Sequence, residues 1–147
     1  MNTVPIPFSR VEQQFFRMLN AVAEPAIRRG FGSLTFAPAS LLVLESTGFK
    51  SGLTRRTPLW SAGIGPFRLV STARGGRSFW VKNLHFEPAV SFYLGGRKRS
   101  ARALVIANGE FSRDIDDLPK PLQTLAHAIA DFQPAGWACA LLIPTKR

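Results

Sequence analysis

The sequence predicts a mainly β, α+β fold: a small antiparallel barrel of about six strands with helices packed outside it. Three observations carry that reading. Short apolar or alternating segments recur between glycine-containing turns, so the chain runs as a series of hairpins. Helical periodicity is confined to a few stretches. The 147 residues suffice for one buried core and are too few for two. With 46% hydrophobic residues, 19% charged residues and 12 Phe, the chain can fill that core.

Taken in order, residues 1–35 form an amphipathic N-terminal segment. Ser9-Arg-Val-Glu12 has the form of a capping box, with Ser9 accepting from the helix start and Glu12 reaching back. Val11, Phe15, Met18, Leu19, Val22, Ala26 and Ile27 then recur at three- and four-residue steps. Pro25 interrupts the helix near Glu24, and Arg28-Arg29-Gly30 stops it. Packing of this face on the barrel is favoured. A membrane surface stays open as an alternative, because Phe15 and Phe16 lie among Arg10, Arg17, Arg28 and Arg29.

Residues 40–107 hold the barrel core. Leu41–Leu44 reads as a buried strand and Ser46–Gly52 as a turn; Arg55–Ala62 alternates, Gly63-Ile-Gly-Pro66 turns the chain and Phe67–Ala73 returns it. Gly75-Gly76 breaks that strand, a short helix runs over Ser78–Phe86, and Pro88 ends it. Val90–Leu94 and Ala101–Ala107 flank a strongly basic turn, Gly95-Gly-Arg-Lys-Arg-Ser100. Asp114–Asp131 is a helix on Ile115, Leu118, Leu122, Leu125, Ala126 and Ile129, with Pro119 and Pro121 near its beginning. A last strand, residues 137–143, closes a single domain spanning 1–147.

No apolar run approaches the ~20 residues that a membrane-spanning helix needs. The N-terminus lacks the basic segment, apolar core and cleavage site of a secretory signal. Cys139 is the lone cysteine, so no internal disulfide or redox pair is expected; it reads as a buried small side chain and suits a reducing cytoplasm. No metal set is expected. Lys and Arg outnumber Asp and Glu by 19 to 9, a net charge of +10, which leaves open an anionic partner (nucleic acid, anionic lipid or a phosphorylated cofactor) or, as the plainer reading, a basic solvated surface. Nucleic acid ranks last, since no helix-turn-helix, zinc or RNP pattern is present.

Two glycine-containing turns, Thr47-Gly-Phe-Lys-Ser-Gly52 and Thr72-Ala-Arg-Gly-Gly76, each combine open backbone N–H groups with a cation. Glycine lets backbone approach phosphate closely, and Lys or Arg complements its charge. The first is no P-loop, because Leu53 and Thr54 follow its second glycine. On spacing alone, two ordinary hairpin turns are the slightly favoured reading. His85 and His127 have no evident Ser or Cys nucleophile paired to them, so both read as structural and a hydrolytic triad gains no support.

The stretch Leu41-Leu-Val-Leu-Glu-Ser-Thr-Gly-Phe-Lys-Ser-Gly-Leu-Thr-Arg-Arg-Thr-Pro-Leu59 resembles a signature of the deazaflavin (coenzyme F-420)-dependent nitroreductase and quinone reductase family. Leu69-Val-Ser-Thr-Ala-Arg-Gly-Gly76 is similar to its second strand, and Trp80-Val-Lys-Asn-Leu84 with Glu87-Pro-Ala-Val90 to its Trp-Tyr-x-Asn-Leu and Asn-Pro-x-Val motifs. The resemblance implies a split β-barrel, FMN-binding-like, that holds an 8-hydroxy-5-deazaflavin carrying a phosphate and a polyglutamate tail. It implies that Lys50, Ser51, Arg55 and Arg56 face the phosphate and tail. Thr57, Pro58, Thr72, Ala73, Arg74, Gly75 and Gly76 would line the phosphate and ring edge, and Trp80 and Asn83 would sit beside the ring. The activity implied is hydride transfer from the reduced cofactor to a quinone, nitroaromatic or other conjugated acceptor, in the cytoplasm or peripherally on the inner face of the membrane. A homodimer is compatible with such a barrel.

Phe49 stands where the family usually has Arg, Arg77-Ser-Phe79 is a shortened link between Gly76 and Trp80, and the only tyrosine is Tyr93. These departures keep two alternatives open: an FMN-dependent oxidoreductase of the same fold, and a non-catalytic binder of lipid or another hydrophobic ligand. Arg97, Lys98, Arg99, Lys146 and Arg147 lie outside the motifs.

Overall fold

A computed structural model describes residues 40–72, 74–133 and 135–145. The N-terminal amphipathic segment, Ala73, Lys146 and Arg147 lie outside the described residues. The elements are β1 (Ser40–Thr47), β2 (Thr54–Ile64), β3 (Phe67–Thr72), a 3-10 turn (Gly75–Arg77), α1 (Phe79–Phe86), β4 (Ala89–Leu94), β5 (Arg97–Ala107), β6 (Glu110–Phe111), α2 (Lys120–Phe132) and β7 (Ala138–Pro144).

The strands run in the order β4-β1-β2-β3-β7-β5-β6, and a further β4–β5 pairing closes six of them into a barrel. Every pairing is antiparallel, as a chain of hairpins requires. β6 is a short outer addition to β5 that the sequence did not suggest. The mainly β barrel with outer helices is therefore the fold.

Strand alternation sorts the core into two layers. Leu42 and Leu44 of β1, Val70 of β3, Val90 and Phe92 of β4, Ala101, Ala103 and Val105 of β5, and Ala138, Ala140 and Leu142 of β7 form one cluster, filling the barrel. Trp80, Val81 and Leu84 of α1 join it, so the short helix plugs the barrel with its apolar side. Ala62, Ile64, Leu69, Leu104, Ile106, Cys139 and Leu141 form the second layer and are covered by Leu122, Leu125, Ala126 and Ile129 of α2. β7, lying between β3 and β5, is buried on both faces, which explains its unbroken apolar run.

Several boundaries differ from those expected. The basic segment is not a six-residue turn: only Gly95 and Gly96, at φ 59° and 79°, turn the chain, and Arg97–Ser100 pair with Ser91–Leu94 as the start of β5. Glycine at both turn positions is the signal for a two-residue hairpin. α2 begins at Lys120, with Pro119 as its N-cap and Pro121 in its first turn; Ile115 packs from the preceding turn instead. β2 continues to Ile64, leaving Gly65-Pro66 to turn the chain, and β7 runs over Ala138–Pro144.

Candidate functional site

The β1–β2 loop closes on itself. Gly48 donates its N–H to the Leu53 carbonyl at 2.8 Å, and Gly52 donates to the Gly48 carbonyl at 2.8 Å. Gly52 holds φ +73°, where a side chain is costly, and a Cβ on Gly48 would meet Ser51 Oγ at 2.8 Å. Ser51 Oγ accepts from the Leu53 N–H at 3.1 Å and from Arg55 Nη2 at 3.4 Å. Asn83, buried in α1, ties this loop to the barrel: its Oδ1 accepts the Phe49 N–H at 2.9 Å and its Nδ2 donates to Ser46 Oγ at 3.4 Å. The N–H groups of Lys50 and Ser51 have no acceptor among the described residues. Two adjacent unengaged donors on a loop that carries an ammonium group are the parts from which an anion site can be built.

That loop borders a cleft of about 610 Å³ lined by Gly48, Phe49, Lys50, Ser51, Thr54, Arg55, Arg56, Thr57, Phe79, Trp80 and Asn83. The volume falls within the range of small-molecule and cofactor sites. One wall is cationic. Lys50 and Arg55 form no ion pair among the described residues. Arg56 does: its Nε meets Glu45 Oε2 at 2.9 Å, and Lys98 Nζ meets Glu45 Oε1 at 3.3 Å. Hydrogen bonding from Arg56, opposed by burial and reinforced by Lys98, holds the Glu45 carboxyl below its ordinary range. The other wall is aromatic. Trp80, 6% exposed, belongs both to the lining of the cleft and to the barrel core, and Phe49 stacks on Phe79 with centroids 6.4 Å apart and planes at 21°.

Of the residues expected at a cofactor site, Lys50, Ser51, Arg55, Arg56, Thr57, Trp80 and Asn83 are brought together in this cleft. Pro58, Thr72, Arg74, Gly75 and Gly76 do not line it. In the second turn the Arg74 N–H is engaged by Thr72 Oγ1 at 3.1 Å. Gly75, at φ +64°, is buried so tightly that a Cβ would collide with the Gly136 carbonyl oxygen, so its glycine answers a packing need. Gly48 and Phe49 of the first glycine turn also line the cleft, and Thr54 and Phe79 join the lining unforeseen. The signal for Phe79 was its position on the open side of α1, seven residues from Phe86, with both rings more than half exposed. His85 is exposed in the last turn of α1, and His127 sets its ring edge-on to Phe111 at 5.4 Å.

The model of the F420H(2)-dependent quinone reductase family matches residues 18–117. The chain belongs to that family. It is accordingly an oxidoreductase, a reductase of the coenzyme F-420-dependent class. No curated protein matches this reductase. Solved structures similar to it include an F420-H2 dependent reductase, FDR-A, at 18% identity, covering 69% of this chain and 92% of that one with a TM-score of 0.42. An F420 reductase is 15% identical over 80% of this chain and 94% of that one, TM-score 0.46. A pyridoxamine 5'-phosphate oxidase-related, FMN-binding protein from Nostoc punctiforme is 11% identical over 86% and 78%, TM-score 0.48.

The donor set fits the family's cofactor. The unengaged Lys50 and Ser51 N–H groups and the Lys50 and Arg55 side chains suit a phosphate, and the Trp80 wall suits a planar ring.

Proposed function

We propose that this reductase carries hydride from reduced coenzyme F-420 to a quinone or another conjugated acceptor such as a nitroaromatic, using the cleft between the β1–β2 loop and α1. The observation that carries the reading is the pairing of uncompensated donors, Lys50, Arg55 and the two loop N–H groups, with an aromatic wall in one cleft. When bound, the deazaflavin supplies the hydride chemistry. The protein's part is to bind and orient. The Lys50 and Ser51 N–H groups and the Lys50 ammonium would hold the phosphate, and Arg55 would reach along the tail. Arg56 would contribute only the guanidinium edge not turned to Glu45. Asn83 positions the loop through the Phe49 N–H, and Trp80 sets the depth of the ring pocket and keeps water from that side. Arg74 of the second turn stands outside the lining of the cleft, and titration of its variant decides whether it joins.

Fluorescence titration with coenzyme F-420 and with FMN tests the proposal. Selective deazaflavin binding is expected, weakened by about 1.5–3 kcal/mol in Lys50→Ala, the scale of a charge-assisted hydrogen bond. A similar loss in Arg74→Ala would bring the second turn to the same ligand. Preference for FMN would favour the same fold serving the smaller cofactor, a reading that Phe49 in place of a cation supports. Binding of neither would move the function to a hydrophobic ligand. The same proposal places the protein in the cytoplasm, with peripheral contact to the inner membrane face through residues 9–29 and with homodimerisation open. The lone buried thiol of Cys139 and the amphipathic pattern of that segment support it.

A further inference from the structure

α1 carries a feature that neither the core nor the cleft explains. Its inward side, Trp80, Val81 and Leu84, is buried, while Phe79, Lys82 and Phe86 recur at three- and four-residue steps on the open side. Phe79 is 67% exposed yet stacks on Phe49 of the β1–β2 loop. Lys82 Nζ stands 5.6 Å from the Phe49 ring centroid and 5.8 Å from that of Phe79, so it bridges the pair. Lys50 Nζ stands 5.7 Å from the Phe49 ring. Neither lysine has a carboxylate partner among the described residues. Phe49 therefore removes one cation from the loop and gathers two.

We propose that the Phe49–Phe79 stack is a platform that holds the Lys82 ammonium group at the mouth of the cleft, beside the Lys50 group assigned to the phosphate, as a binding site for the carboxylates of the cofactor's polyglutamate tail. The inference rests on the function proposed above and extends it to a residue outside the cleft's lining. The physics is preorganisation. A solvated lysine loses much rotamer freedom when it fastens onto an anion, and a ring face that already confines the ammonium removes part of that loss. The stack also leaves ammonium protons pointing away from the rings toward solvent, where a carboxylate can accept them. A flexible chain of carboxylates leading away from a phosphate at Lys50 can reach this second cation on the same platform.

The test uses the full chain and three probes: intact coenzyme F-420, the same ring system with its phosphate but no tail, and the uncharged deazaflavin riboside. Lys82→Ala is expected to weaken the intact coenzyme about tenfold and reduce the salt dependence of its binding, with the two tail-less probes unchanged. Lys82→Arg should restore affinity. Phe79→Ala, which removes the platform but keeps the charge, should fall between wild type and Lys82→Ala. Thermal melts of each variant confirm that an exposed substitution has left the fold intact. Unchanged affinity in Lys82→Ala, or an equal loss for all three probes, overturns the tail site while leaving the proposed function in place. If the wild type binds the coenzyme no better than the tail-less phosphate, the tail site likewise falls alone. Failure of the wild type to bind any probe removes the proposed function and the tail site together.

Discussion

Glu45 shows how one side chain ties chemistry to stability. It points outward from β1, directly opposite Arg56 on β2, and is nearly buried by Arg56 and Lys98. Its carboxyl is held below the ordinary 4.5 by hydrogen bonding from Arg56, against the opposing pull of burial and with help from Lys98. A depressed folded-state value means that the stabilisation is complete above the unfolded value and fades as pH falls through the folded one. Thermal unfolding from about pH 6 to about pH 3 should therefore show a steeper acid loss in wild type than in Glu45→Gln. Equal slopes would show that the pair contributes nothing to folding. The sequence marked Arg56 as a phosphate ligand because it stands beside Arg55 in a basic motif. It could not show that β1 and β2 register sets Glu45 across from one arginine and not the other. The register settles that: Glu45 pairs with Arg56 and Ser46 with Arg55.

At the scale of elements, the two glycine turns that looked alike have different reasons for their glycines. The first keeps donors open toward the cleft, while in the second Gly75 makes room for the backbone at Gly136. Gly75→Ala should cost at least about 1 kcal/mol from the positive φ alone, and more from the collision with the Gly136 carbonyl. Gly76→Ala, with open space around its Cβ and no positive φ, should stay within about 0.5 kcal/mol of wild type. Denaturant unfolding of the two variants separates them, and equal effects would refute the packing role. The Gly136 partner lies sixty-one residues further on in sequence, so spacing could not reveal it. What was legible followed local rules: hairpin turns, alternation in β3 and β4, the apolar β7 and the motif loop that became the cleft. The misplaced starts of β5 and α2 have local causes too. Lysine and arginine look like loop residues until a strand pairing solvates their outer face, and Ile115 has a helical spacing that the tertiary fold satisfies from a turn.

At the scale of the molecule, most acidic side chains among the described residues lie on one part of the fold, with Arg113 and Lys120 as the cations beside them. Glu110, Asp114, Asp116, Asp117 and Asp131 gather around β6 and α2, whereas Lys50, Arg55, Arg56 and Lys82 stand around the cleft with Glu45 between Arg56 and Lys98. Such asymmetry steers an anionic ligand toward one side and weakens with ionic strength. Association of intact coenzyme F-420 should therefore slow as salt is raised, while that of the uncharged riboside stays level; stopped-flow fluorescence at two salt concentrations reads both. Salt-independent association of the coenzyme would rule out steering by this field.

Cys139 offers a way to watch the barrel itself. Its thiol sits on β7, opposite Ser71 of β3 and Ile106 of β5, and burial pushes its pKa up to about 12. A thiol so placed is neutral and out of reach, so a disulfide reagent at neutral pH can label it only after neighbouring strands have parted or α2 has lifted. Labelling should be slow in native buffer and accelerate with denaturant. With one cysteine in the chain, every modified molecule then records a single opening event, and the labelling rate becomes a clock for how often the barrel breathes.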